Sequence, residues 1–160
     1  FKIFGVNAIV MTPFQVGSFT EVFSKKMALN AMKSGEIIIN AGGTGHPYFS
    51  TDTIAALRAA EFGADCVFYA KNIDGVYTAD PRKVSDAKKI RRITYQKIIE
   101  ERLQAVDIAA MNISQEAGTD SFVFGLSETD SIIRAFRSAS GETTVSGTKI
   151  SVSCEEEYYV

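Results

Sequence analysis

The sequence predicts an α/β fold with a mostly parallel sheet. Three observations carry this. Short β-branched or apolar runs recur along the chain, glycine or proline closes most of them, and helical stretches alternate with them. That alternation is the pattern of parallel strands joined by helical crossovers. The 160 residues, 46% of them hydrophobic, suffice for one globular domain with a real core.

Taken in order, Ala8 to Met11 (AIVM) predicts a buried strand closed by Pro13 and Gly17. Ser18-Phe-Thr-Glu21 matches a capping box, so a helix is expected to follow as far as Ser34 and to stop at Gly35. Glu36 to Ala41 (EIIINA) predicts the second strand, bounded by Gly42-Gly43. Thr51 suits an N-cap for a helix from Asp52 to Phe62. Asp65 to Ala70 predicts the third strand, and Lys71 to Arg92 a long polar loop with turn signals at Asp74-Gly75 and Asp80-Pro81. Helices are expected near Tyr95 to Leu103, Asp107 to Glu116 and Ile132 to Ser138, with strands at Ser121 to Gly125 and Thr148 to Val152. The acidic tail at Glu155-Glu156-Glu157 reads as frayed, giving one domain over residues 1–152 and a tail over 153–160. The first residue is Phe1 rather than Met, which reads as a sequence that does not begin at a native start.

Charge narrows the partners. A formal net charge of −2 exerts no long-range pull on nucleic acid or anionic membranes. No apolar run approaches a membrane span. Two cysteines build no disulfide scaffold and fit a reducing cytoplasm. No His/Cys cluster has metal-ligand spacing, and the single histidine leaves a His-based triad no second option.

Ligands of open α/β sheets bind beyond the carboxyl ends of the strands. Two loops lie there. The first, Gly42-Gly-Thr-Gly-His-Pro-Tyr-Phe-Ser-Thr51, leaves a strand and enters a helix. Its glycines let backbone approach a ligand, and the helix start offers free amides to a phosphate. Thr44, Ser50 and Thr51 add hydroxyls; His46 reads as a hydrogen-bonding loop residue rather than a proton donor. Many such turns only turn the chain. The second loop, Lys71 to Pro81, offers Tyr77 and Asp80. On its residues alone it reads as a surface Ω-loop with a solvated acid. The fingerprints G-x-G-x-x-G and G-x-x-x-x-G-K-[ST] are both absent.

These segments together resemble the bacterial UMP kinases of the amino-acid kinase superfamily, from about Val6 to Ile150. The most specific pieces are AGGTGHPYFSTDTIAALRAAEFGAD (Ala41 to Asp65) and AKNIDGVYTADPRK (Ala70 to Lys83). The resemblance implies a three-layer αβα sandwich of which this chain is the carboxy-terminal part. It implies transfer of the γ-phosphate of ATP to UMP, giving UDP and ADP in pyrimidine nucleotide biosynthesis. Thr44, Gly45, His46, Pro47, Tyr48, Phe49, Ser50 and Thr51 match the UMP-binding loop, with His46 where asparagine is usual. Tyr77 and Asp80 match the ATP-binding aromatic and acid, and the third ATP contact falls at Asn72 or Lys71. Mg2+ is implied between the ATP phosphates, with Asp52 able to orient it through water or simply to face the helix dipole. No residue is assigned a catalytic role and none a direct metal ligand. A cytoplasmic homohexamer is implied.

The family's Lys-x-Ser-Gly strand end and Gly-Gly-Gly loop do not occur here, so this chain alone is expected to be inactive. Two rivals stand beside this. One is another kinase of the superfamily, acting on an amino acid or carbamate. The other is a nucleotide-binding or regulatory module without catalysis.

Overall fold

The computed structural model describes residues 2–103, 105–127, 129–139 and 146–159. It comprises two compact units, Phe1–Ile54 and Ala55–Val160. In the first, a 3-10 turn (Lys2–Phe4) leads to β1 (Ala8–Thr12). β1 is the middle strand of a three-stranded sheet, between β2 (Glu21–Val22) and β3 (Ile37–Asn40), and both pairings are parallel. α1 (Lys25–Lys33) lies in the chain between β2 and β3, the two strands that flank β1. Met11, Ala28 and Ala31 are buried.

The capping box at Ser18 does not start a helix. Glu21 and Val22 pair with Met11 and Thr12, and the cap of α1 is Ser24, whose hydroxyl accepts from Met27 N at 3.4 Å. A strand partner outweighs a local capping pattern. α2 (Thr51–Phe62) begins one residue earlier than expected, because Ser50 rather than Thr51 is its cap.

The second unit holds a six-stranded mixed sheet among the described residues. Its strands are β4 (Cys66–Lys71), β5 (Val76–Tyr77), β6 (Lys89–Thr94), β7 (Asp120–Gly125), β8 (Gly147–Ser151) and β9 (Glu157–Tyr158). The order is β4-β7-β8-β6-β5, with β9 also paired to β6. β4/β7 and β6/β8 run parallel; β7/β8, β5/β6 and β6/β9 run antiparallel. The sheet is thus more mixed than the sequence suggests, because β5, β6 and β9 were not expected as strands. The tail is not frayed: Glu157 pairs with Arg92 and Tyr158 with Ile90.

Helices α3 (Tyr95–Glu101), α4 (Ile108–Ala117) and α5 (Ser131–Ala139) complete this unit. Asp107 caps α4 by accepting from Ala110 N at 2.7 Å, and Gly118 ends it in the left-handed region. Val67, Tyr69, Ile93, Ile98, Met111, Val123 and Ile150 form the heart of one apolar core. Tyr95 is fully buried within it, and its hydroxyl donates to Thr119 O at 2.6 Å and lies 2.7 Å from Ser121 Oγ. No described helix is long and apolar enough to cross a membrane.

Candidate functional site

The first candidate loop leaves the carboxyl end of β3 and enters α2. Gly42, Gly43 and Gly45 all have positive φ, at 80°, 64° and 77°. At two of them the lack of a side chain matters for packing as well. A Cβ on Gly45 would fall 2.8 Å from Pro13 Cβ, and one on Gly42 would fall 3.2 Å from Pro13 Cδ. The loop after β1 therefore forms the seat of the loop after β3. Sequence reasoning missed Pro13, because nothing at a single proline signals which neighbour it will support.

Within the loop, Thr44 Oγ accepts from His46 N at 3.2 Å, a local turn. Ser50 Oγ accepts from Asp52 N at 3.1 Å and Thr53 N at 3.3 Å. Residues His46 to Thr51 are exposed, Tyr48 completely so. Tyr48 is also a non-glycine residue at φ 69°. A conformation costing of order 1 kcal/mol or more persists only where the surroundings impose it, and such residues cluster at ligand sites. The result is an exposed aromatic pair, Tyr48 and Phe49, beside glycine backbone and a helix start.

The second loop is not a free Ω-loop. Val76 and Tyr77 form β5, paired with Ile90 and Lys89 of β6, and Val76 N donates to Thr148 Oγ1 at 2.8 Å. Tyr77 and Asp80 line one cavity of about 350 Å3, together with Ile73, Arg82, Arg102 and Leu103 among others. Asn72 and Lys71 are not part of that lining.

Asp80 accepts from Arg82 through Nε at 3.0 Å, Nη2 at 3.2 Å and the backbone N at 3.0 Å. These bonds hold its carboxyl below the ordinary carboxylate range. Tyr77 OH donates to Asp74 Oδ1 at 2.8 Å. Burial, then this bond, pushes the Tyr77 phenol up to about 12. At Asp74 burial acts to raise the carboxyl, but hydrogen bonds from Lys89 and Tyr77 and the charge of Lys89 outweigh it and leave it lowered. Asp74 and Lys89 were not among the expected site residues.

A larger hollow of about 1050 Å3 lies beside Cys66, Phe68, Phe122, Lys149 and Tyr159, and no residue of either loop lines it. Burial pushes the Cys66 thiol up to about 11, the reverse of what a reactive cysteine needs. Among the described residues no group of three or more His, Cys, Asp or Glu side chains can hold a metal ion.

Comparison with known proteins adds the family. The model of the amino acid kinase family matches residues 1–125, which include both loops. The uridylate kinase of Chelativorans sp. (strain BNC1) is 43% identical over 124 residues, which are 78% of this chain and 50% of that protein. The uridylate kinase of Limosilactobacillus reuteri is 40% identical over 144 residues, 89% of this chain and 60% of that protein. Among solved structures, the UMP kinase from Ureaplasma parvum aligns with a TM-score of 0.84 at 28% identity, covering 94% of this chain and 62% of that one. The UMP kinase from Bacillus anthracis aligns with a TM-score of 0.86 at 26% identity, covering 98% and 62%. The chain spans about half the length of the curated relatives it matches.

Proposed function

The chain belongs to the amino acid kinase family, and from that premise we propose that it works as part of a uridylate kinase, passing the γ-phosphate of ATP to UMP. The observation that carries the proposal is the loop from Gly42 to Thr51. Left-handed glycines and an exposed aromatic pair suit a nucleoside monophosphate: loop backbone for the phosphate, aromatic faces for the base. The same aromatic pair carries the resemblance of this loop to UMP kinases rather than to kinases with amino-acid acceptors. The relatives named above support the same acceptor.

The cavity beside β5 is proposed to take the ATP nucleoside. Tyr77 offers a ring edge or face, and Asp80 accepts from a hydroxyl or amino group. Asn72 stays in the proposal as a contact from outside the cavity lining. Phosphoryl transfer then needs little covalent help, because the acceptor is already an anionic phosphate; positioning and charge stabilisation do the work. Mg2+ would arrive on the ATP phosphates, and since the described residues form no cage for it, no step is assigned to a protein-held metal. Action in pyrimidine nucleotide biosynthesis, a cytoplasmic location and assembly into a homohexamer belong to the same proposal. The test is ADP release by the protein as the cell makes it, with UMP offered beside glutamate, aspartate and carbamate. Turnover confined to UMP is expected. Preference for another acceptor would point to a different kinase of the superfamily, and ATP binding without any turnover to a regulatory module.

A further inference from the structure

One lysine ties the loop beside β5 to Tyr159, the residue after β9. Lys89 stands opposite Tyr77 in the β5–β6 pairing. Its side chain is only 11% exposed, so its charge needs partners. Nζ lies 2.6 Å from Asp74 Oδ2, donates to Ser146 Oγ, and sits 5.1 Å from the centroid of the Tyr159 ring. The other Asp74 oxygen holds the Tyr77 hydroxyl.

Tyr159 is itself fixed. Its hydroxyl donates to Gly147 O at 2.7 Å and accepts from Gly147 N at 3.0 Å, while its backbone N donates to Lys89 O at 3.2 Å. The strand before it carries an Arg91–Glu157 pair, and the residue leading into that strand a Lys97–Glu156 pair. There is little slack in this arrangement. A Cβ on Gly125 would fall 2.9 Å from Asp74 Cβ, and one on Gly75 would fall 2.8 Å from Lys89 Cε. Asp74 is thus confined by backbone on one side and by Lys89 on the other.

We propose that Lys89 is a positioning residue of the nucleotide site: it couples Tyr159, the residue after strand β9, to Asp74, and through Asp74 it fixes the Tyr77 ring at the wall of the cavity. The inference rests on the reading of that cavity as the ATP site. Exposed ion pairs contribute little, but this ammonium is largely removed from water, and deleting it leaves Asp74 without its cation. Tyr77 would then hydrogen-bond to a carboxylate free to move, and its ring would lose its setting.

The experiment uses the protein as the cell makes it. Lys89→Met keeps the side-chain length and removes the charge. The dissociation constant for ATP, read by titration calorimetry, is expected to rise about tenfold. The KM for UMP should stay within about twofold, because uniform damage is not the mechanism. Amide hydrogen exchange at residues 73–78 should quicken while that of α4 does not. Lys89→Arg should recover much of the ATP affinity. Tyr159→Leu keeps the ion pair but removes the ring beside it; it should move the same two readouts less far, and it carries the test if Lys89→Met does not fold.

Unchanged ATP affinity in these variants overturns the proposal. So does an equal loss for UMP and ATP, or faster exchange throughout α4 and the core strands, since either marks a general loss of stability. Failure of the parent protein to bind ATP at all overturns the kinase reading itself. It is told apart from failure of the brace by the exchange rates at 73–78, which depend on no nucleotide.

Discussion

Asp80, the proposed ATP contact, is also held by the fold. Its oxygens take the guanidinium and backbone N of Arg82, while its backbone O accepts from Lys83 N and Val84 N. A carboxylate has about four acceptor sites, so a ligand donor still finds room. Asp80→Asn keeps the size and removes the charge. Hydrogen bonds to charged groups contribute about 1.5–3 kcal/mol, so ATP affinity should fall by roughly tenfold or more while UMP affinity holds. Separate titrations with the two nucleotides read this, and a loss confined to UMP would mean that the two loops have been assigned the wrong way round. Tyr77 gives a second test, by pH. Its folded phenol titrates near 12 instead of 10.0, so the folded state keeps a proton that the unfolded state gives up. The stability this represents is complete below pH 10.0 and is lost as pH rises through about 12. In an ultraviolet titration, Tyr77→Phe should remove part of the late absorbance step and leave the part due to Tyr95, which also titrates near 12. Asp74→Asn should lower the Tyr77 midpoint only in part, because burial is the larger cause. A late step indifferent to Tyr77→Phe would contradict the assignment.

Elements became legible where local signals and tertiary pairing agreed. The β-branched run Ile37–Ile39 and the apolar run of Val67 and Phe68 read as strands and are strands. Asp107 and Gly118 bracket α4 as their residue types suggest. Strand β6 escaped notice for a physical reason. Its buried residues, Ile90 and Ile93, are three apart, because the pairing with β9 shifts register between Ile90 and Arg92, and the period of two is broken. β9 was illegible because it is only two residues long and its strand partners, Ile90 and Arg92, lie far away in the chain. At the site, the glycines and aromatics of the first loop were readable, whereas Pro13 and Lys89 act through contacts that only folding creates. The start of α2 separates the two kinds of signal: Thr51 was the expected cap, and Ser50, one residue earlier, is the one that accepts from the helix amides. Ser50→Ala should therefore lower stability by about 1 kcal/mol, and Thr51→Ala by less. Urea melts of the two variants decide it, and the reverse order would place the cap at Thr51 after all.

On the scale of the whole molecule, the distribution of donors decides what the chain can do. The unit Phe1–Ile54 carries the proposed acceptor loop, and the unit Ala55–Val160 carries the proposed ATP cavity. In the proposed reading both loops address nucleosides, and stabilising the migrating phosphoryl group falls to other elements. Charge in that transition state spreads over the equatorial oxygens and must meet preorganised donors. The Lys-x-Ser-Gly and Gly-Gly-Gly motifs that the family resemblance assigns to this task do not occur in residues 1–160. Removing one such donor typically costs about 100- to 1,000-fold in rate, and two elements are lacking. A polypeptide of residues 1–160 by itself should consequently show no measurable ADP release with UMP. A longer polypeptide that adds segments bearing those two motifs should turn over. Side-by-side assays of the two polypeptides, each first shown by circular dichroism to be folded, provide the measurement. Robust turnover by the 160-residue chain would locate the phosphate donors within it, and the amides of Gly42 to Gly45 and the side chain of Lys71 would be the first groups to substitute.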